Sequence, residues 1–307
     1  MHRHYLAVCA IFRDEAPYLT EWIAFHRLMG VEHFFLYNNN SSDNFELVLK
    51  PFIAQGCITL HSWPIPFHEY AQKKAYAHCL EQVRGQVRWL ACIDIDEFLF
   101  SPSNENLATA LADYESFPGV VVHWQVYGSN GHRYMTDEPV IARFTKRAPT
   151  NWIRNRKIKS IVDPSRVIEP LGMHHFSYSD GAFPVDETKT AVSLKHKPTH
   201  KKKFKWLYGN LGPLLRYFDP YPGTDINSRV ISVERLRINH YPIKSHEEFL
   251  KKTAHKKEKR RYEDVDYFSY HDRNDVLDIT LHKYLPDLYR LLDSTGKLTG
   301  RSSQQCN

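Results

Sequence analysis

Several signatures are missing from this chain of 307 residues. No run approaches the eighteen apolar residues that would span a bilayer. There is no GxGxxG, no P-loop, no G-x-S-x-G and no HExxH, which sets those nucleotide-binding, hydrolase and metalloprotease classes aside. Cysteine is scarce and odd in number: Cys9, Cys57, Cys79, Cys92 and Cys306 show no CxxC spacing. Three of them sit in apolar runs as small core residues. A reducing, cytosolic compartment is expected, and a zinc finger finds no support. The opening stretch MHRHYLAVCAIFRDE has no small-residue cleavage site and reads as a first β-strand. No internal repeat is visible.

What is present is ordinary for a globular protein: 42% apolar and 25% charged residues, with a net charge of +6. The charge is local. KHKPTHKKKFK (Lys195 to Lys205) carries six lysines, and KKTAHKKEKRR (Lys251 to Arg261) carries seven basic residues. Without those two runs the chain is net acidic. They read either as solvated faces or as attraction to an anionic partner: a phosphorylated substrate, an acidic glycan or a membrane surface.

Along the first hundred residues strand and helix signals alternate. YLAVCAIF, HFFLYN, CITLHSW and VRWLACIDID read as strands; PYLTEWIAFHRLMG and AQKKAYAHCLEQV read as helices. That alternation predicts a parallel sheet with right-handed crossovers, whose ligands bind at the carboxyl ends of the strands. From about residue 106 a helix, NLATALADYESF, precedes a strand, GVVVHWQVYG, and mixed α+β elaboration follows. In SHEEFLKK, Ser245 and Glu248 have capping-box spacing. DVLDITLHKYLPDLYRLLD places Leu277, Leu281, Leu285, Leu288 and Leu292 on one helical face, with Pro286 kinking or splitting it. The last ten residues read as disordered.

The sharpest chemical signal is Asp94 and Asp96, at the end of a buried strand and followed by Glu97. Buried carboxylates need a partner, and hard oxygen ligands suit Mg²⁺ or Mn²⁺. In an extended backbone the two side chains share one side. A second such pair, Asp264 and Asp266, lies in a charged stretch and reads as surface. In INHYPIKSHEEF, Lys244 precedes a helix start whose free amides suit a phosphate; His240 is a third metal ligand or a surface histidine. Tyr37 to Asn44 reads equally as a nucleoside-binding loop or as a turn and N-cap. His132, beside a tight turn, is a base, a substrate contact or a solvent-facing residue.

Taken together, AVCAIFRDEAPYLTEWIAFHRLMGVEHFFLYNNNSSDN, IDIDEF, WQVYGSNGH, KSIVDPSRV and INHYPIKSHEEFLKK resemble glycosyltransferase family 92 and related family-2-like enzymes. The resemblance covers roughly residues 5 to 255. It implies a GT-A (Rossmann-like) α/β fold, with a mixed, mainly parallel sheet flanked by helices. It also implies a nucleotide-sugar donor, a divalent metal and an inverting transfer. By position, Asp94 and Asp96 align with the D-x-D that holds metal and diphosphate. Arg13, Glu15, Asn38 and Asp43 align with the nucleotide-facing loops, and Gln72 with the start of a donor-lining helix. His240 and Lys244 align with the H-Y-x-x-K-S segment. Where the family usually has Lys-Asn-Glu, this chain has Arg13-Asp14-Glu15.

The expectation is therefore a cytosolic hexosyltransferase, with peripheral contact at the anionic inner membrane face. Residues 1–245 form the GT-A domain (1–105 for the donor, 106–245 for the acceptor), and 246–307 a helical extension with a disordered end. Asp94, Asp96 and His240 hold Mn²⁺ or Mg²⁺. Lys244, with Arg156 or Lys157, offsets leaving-group charge. Glu97 orients the metal ligands. His132, Glu138 and Asp180 are the candidates for general base. The acceptor is a glycan or glycolipid, as in surface-polysaccharide assembly, and no nucleic acid is expected. The alternatives are a nucleotidyltransferase acting on a sugar phosphate, and a basic nucleic-acid-binding protein, although Phe204 and Trp206 offer little for base stacking.

Overall fold

The computed structural model describes residues 2–103, 106–192, 230–254 and 264–294, with side chains omitted for 264–266 and 294. The run Lys195 to Lys205, most of Lys251 to Arg261, Cys306 and the last ten residues lie outside the described residues. So do the side chains of Asp264 and Asp266.

An eight-stranded sheet organises the chain, in the order β3-β2-β1-β4-β8-β6-β11-β5. Its members are β1 (His4–Phe12), β2 (His33–Asn38), β3 (Ile58–Ser62), β4 (Val87–Cys92), β5 (Glu97–Phe100), β6 (Gly119–Val126), β8 (Ile158–Val162) and β11 (Arg237–His240), while β7 (Lys146–Arg147), β9 (Val167–Pro170) and β10 (Phe176–Tyr178) belong to two small two-stranded sheets. The first four strands in that order run parallel. β8 enters antiparallel to both β4 and β6, β11 runs parallel to β6, and β5 closes the edge antiparallel to β11. This is the mixed, mainly parallel sheet expected from the sequence.

Helices α1 (Ala16–Leu28), α2 (Phe45–Ala54) and α3 (Ala71–Val83) provide the crossovers between the parallel strands. Pro17 opens α1 and Gly30, at φ 94, follows its end. The positive φ at Gly30 favours glycine, and a Cβ there would also push on the side chain of Asn106. β1 buries both faces. Leu6, Val8, Ala10 and Phe12 join the core with Trp22 and Phe25 of α1, while Ala7 and Cys9 meet Ala75 and Cys79 of α3. Cys9, Cys57, Cys79 and Cys92 are free and buried, as small core residues.

The four residues from Ile93 to Asp96 join β4 to β5, although β8, β6 and β11 separate them in the sheet order. In a flat sheet that separation would be about 19 Å. The link instead contains a tight turn, with the Glu97 amide donating to the Asp94 carbonyl at 3.1 Å. The sheet must therefore curl until its far edge returns over the carboxyl end of β4. This corrects one expectation: the strand stops at Cys92, and Asp94 and Asp96 stand on a turn, not on extended backbone.

Beyond β11, helix α6 (His246–Ala254) begins at the expected capping box; α4 (Leu107–Ala112) and α5 (Val140–Arg143) precede it. The Ser245 amide donates to Glu248 Oε2 at 3.0 Å, and the Glu248 amide to Ser245 Oγ at 3.3 Å. Arg143 adds two 2.9 Å bonds to the same carboxylate, which holds Glu248 down at about 2 even though burial pulls the other way. The C-terminal leucines do not form one helix. α7 (Asp264–His271) is followed by a short strand, Val276–Leu277, paired with Lys146–Arg147, then by a 3-10 turn and α8 (Leu285–Ser294). Pro286 sits in the first turn of α8, where its missing N–H costs nothing. Leu281, Leu288 and Leu292 are buried in the core; Leu277 is exposed. No helix among the described residues is long and apolar enough to cross a membrane.

Candidate active site

The curl sets Glu97 directly opposite His240 in the β5–β11 ladder. Cross-strand partners share a face within about 5 Å. The Tyr241 amide then donates to the Asp96 carbonyl at 2.9 Å, which ties the turn to the end of β11. As a result one ligand atom each from Asp96, Glu97 and His240 lies within 4.8 Å of the others, and all three residues are buried.

Their chemistry fits a hard divalent cation. Asp96 Oδ1 and His240 Nε2 are 3.6 Å apart, a spacing open to two ligands each about 2.1 Å from one ion. Glu97 Oε1 is buried without a hydrogen-bond partner among the described residues. Burial holds His240 below its usual range, outweighing the pull of Asp96, so its ring favours the neutral, ligating form. Burial alone would raise Asp96, but Lys252, then His240 and Lys244, hold it well below the ordinary carboxylate range. Burial pushes Glu97 the other way, well up, against the pull of Lys159.

Asp94 is not part of that group. Its Oδ1 accepts from Gln72 Nε2 at 2.6 Å and its Oδ2 from Lys159 Nζ at 2.8 Å, while its amide donates to Glu97 Oε2. Gln72 thus touches the carboxylate turn. Lys159 has a side chain only 1% exposed and also lies 3.6 Å from Glu97. Burial would lower it, but Asp94 and Glu97 raise it above the usual lysine range, so it stays charged.

Lys244 is buried at a left-handed φ of 54, its ammonium 3.9 Å from the centre of the Tyr18 ring. Burial lowers it, with Glu15 opposing. Lys252, on α6, reaches Asp96 Oδ2 at 2.5 Å, and both Asp96 and Glu15 raise it despite burial. Asp96, His240, Lys244 and Glu15 are therefore electrostatic neighbours, and Gln72 and Asp94 join them through Lys159 and Glu97.

The remaining candidates sit apart from that cluster. Asp43 Oδ2 accepts from the Ala16 amide at 2.8 Å, capping α1 across the strand ends, and Asn38 Oδ1 accepts from the Ser41 amide. The exposed Arg13 lies 3.7 Å from Asp14. Both readings of Tyr37 to Asn44 survive, since the loop is a turn leading to α2 at the carboxyl end of β2. His132 is exposed, its ring 3.2 Å from the Arg143 carbonyl. Glu138 accepts from Tyr289 at 2.6 Å and lines a cavity with Tyr18, Glu21 and Arg143. Asp180 is exposed in a 3-10 turn. Lys157 is buried and Arg156 half-buried.

Sequence reasoning missed Lys159 and Lys252. A lysine inside the apolar strand IKSIV is itself a signal, because a buried ammonium demands carboxylates. Lys252 lies four residues after Glu248 on the same helical face, but it stands in a basic run that reads as a solvated face or as attraction to an anionic partner.

Residues 2–273 match the family model of glycosyltransferase family 92. The chain belongs to that family. It is 30% identical over 200 residues to a glycosyltransferase family 92 protein of Ricinus communis, an alignment covering 63% of this chain and 35% of that protein. It is 30% identical over 111 residues to a galactan β-1,4-galactosyltransferase of Arabidopsis thaliana, covering 32% of this chain and 20% of that one. The chain thus spans about a third, or less, of the length of these curated relatives. Among solved structures, S. aureus TarS (residues 1–349) aligns at TM-score 0.34 and 12% identity, over 52% of this chain and 47% of that one.

Proposed function

We propose that this family 92 chain is an inverting hexosyltransferase that moves a sugar from a nucleoside-diphosphate donor to a glycan or glycolipid hydroxyl. The observation that carries the reading is the Asp96–Glu97–His240 group at the curled sheet's strand ends, ringed by Lys159, Lys244 and Lys252. Those three residues would hold Mn²⁺ or Mg²⁺. Such a cation, when bound, neutralises diphosphate charge and improves the leaving group.

The chain's own residues do the rest. Gln72 and Lys159 fix Asp94, and through the Asp94 amide also Glu97, so the carboxylate turn is held before any ligand arrives. Lys244 and Lys252 bring positive charge to the side where the nucleoside diphosphate departs. Arg13 and Glu15 follow β1, Asn38 ends β2 and Asp43 lies on the loop after it, at the strand ends where a nucleoside would bind. Inversion needs a base at the acceptor hydroxyl; His132, Glu138 and Asp180 remain the candidates. Glu138 is favoured because it shares a cavity wall with Tyr18, whose ring carries the Lys244 ammonium. The basic runs support an acceptor that is anionic or displayed on an anionic membrane. The galactosyltransferase relative supports a hexose as cargo.

Thermal unfolding tests this reading. Mn²⁺ with UDP, GDP or CDP is expected to raise Tm by several degrees, since ligand at a hundredfold excess over Kd adds about 2.7 kcal/mol. Stabilisation by nucleoside triphosphates alone would favour nucleotidyl transfer. Stabilisation by single-stranded oligonucleotides alone would favour nucleic-acid binding.

A further inference from the structure

Three ammoniums surround the carboxylate turn, and they differ in freedom. Lys159 and Lys244 are 1% and 3% exposed. The Lys252 side chain is 29% exposed, while the Asp96 carboxylate it grips is 9% exposed. Lys252 sits in the last turn of α6, whose first turn is pinned by Ser245, Glu248 and Arg143. The helix is anchored, and of the three lysines Lys252 alone has an appreciable part of its side chain in solvent.

Its present position conflicts with a bound cation. Asp96 gives Oδ2 to Lys252 at 2.5 Å and turns Oδ1 to His240 at 3.6 Å. A divalent ion held by Asp96 and His240 would share the Asp96 carboxylate with that ammonium, and two positive charges on one carboxylate repel in a partly buried site. We propose that Lys252 is an internal counter-ion. It neutralises Asp96 while the site lacks a cation, leaves it when the cation enters, and then pairs with the donor's diphosphate. Lys244 lies close enough that the two lysines disfavour each other's charge, and an anion between them would relieve that repulsion. The inference rests on reading Asp96, Glu97 and His240 as metal holders.

The test uses the full chain, with Mn²⁺ and inorganic pyrophosphate as probes, followed by calorimetry. Lys252→Met is expected to bind Mn²⁺ alone on the order of tenfold more tightly, because a competing charge is gone. With Mn²⁺ saturating, it should bind pyrophosphate on the order of tenfold more weakly, because a charge-assisted contact is lost. Lys252→Arg should stay near wild type in both, and thermal unfolding of each variant checks folding. Mn²⁺ affinity that is unchanged or weaker in a folded Lys252→Met overturns the inference. Wild-type chain that takes up no Mn²⁺ even with pyrophosphate overturns the metal-site reading itself.

Discussion

Sugar transfer by Asp96→Asn is expected to fall about a thousandfold, the scale of losing one preorganised charge contact in a transition state. The amide keeps the shape of the carboxylate and removes its charge. Asp96 draws its low pKa from Lys252, His240 and Lys244, so its neutralisation would remove the charge that the proposed cation and diphosphate sites share. The fold is expected to survive, because the Lys252 side chain left behind reaches water. Transfer rates measured beside thermal unfolding curves separate the two effects. A folded Asp96→Asn that transfers at more than about a tenth of the wild-type rate would remove Asp96 from the chemistry.

The second large effect is on stability. Lys159→Met is expected to cost about 3–5 kcal/mol, the usual penalty for breaking a buried ion pair from one side. At about 2–4 °C per kcal/mol in a chain of this size, Tm falls by roughly 10 °C. Asp94 has a third of its side chain exposed and can turn to water; Glu97 is fully enclosed. Without Lys159, Glu97 must take a proton or stay charged in an apolar setting. Burial already sets its folded-state pKa well above the ordinary carboxylate range. A carboxyl raised in the folded state binds more protons there than when unfolded. Stability then falls as pH rises from about 4.5 through the raised value. The deficit of Lys159→Met is therefore expected to be smaller at pH 5 than at pH 8. Lys159→Met/Glu97→Gln should recover much of the loss, since both charges are gone. Chemical denaturation at the two pH values decides it: a deficit that does not grow with pH would mean Lys159 acts through packing alone.

Much of this fold was legible because its signals are local. The apolar spacing and Pro17 announced α1, the small residues of AQKKAYAHCLEQV announced α3, and Ser245 with Glu248 announced the start of α6. Asp96 and His240 were legible as the polar residues that end apolar runs. What stayed hidden depends on distant pairing. The stretch EFLF becomes β5 only because β11, some 140 residues later, supplies its partner. That same pairing turns Glu97 from a neighbour of the ligands into one of the group. Pro51 inside α2 masked a helix, and of the two readings of Pro286, a kink or a split, the structure shows the split, with Pro286 in the first turn of a short helix. Lys252 was hidden by composition: in a run of lysines, nothing local marks the one that reaches a carboxylate.

Anomalous diffraction at the manganese edge, from crystals soaked with Mn²⁺ and a nucleoside diphosphate, tests the central claim most directly. The account predicts a single strong peak within bonding distance of Asp96 and His240, beside Glu97, with the diphosphate on its open side. A nucleotide bound at the strand ends with no manganese between those residues would contradict it.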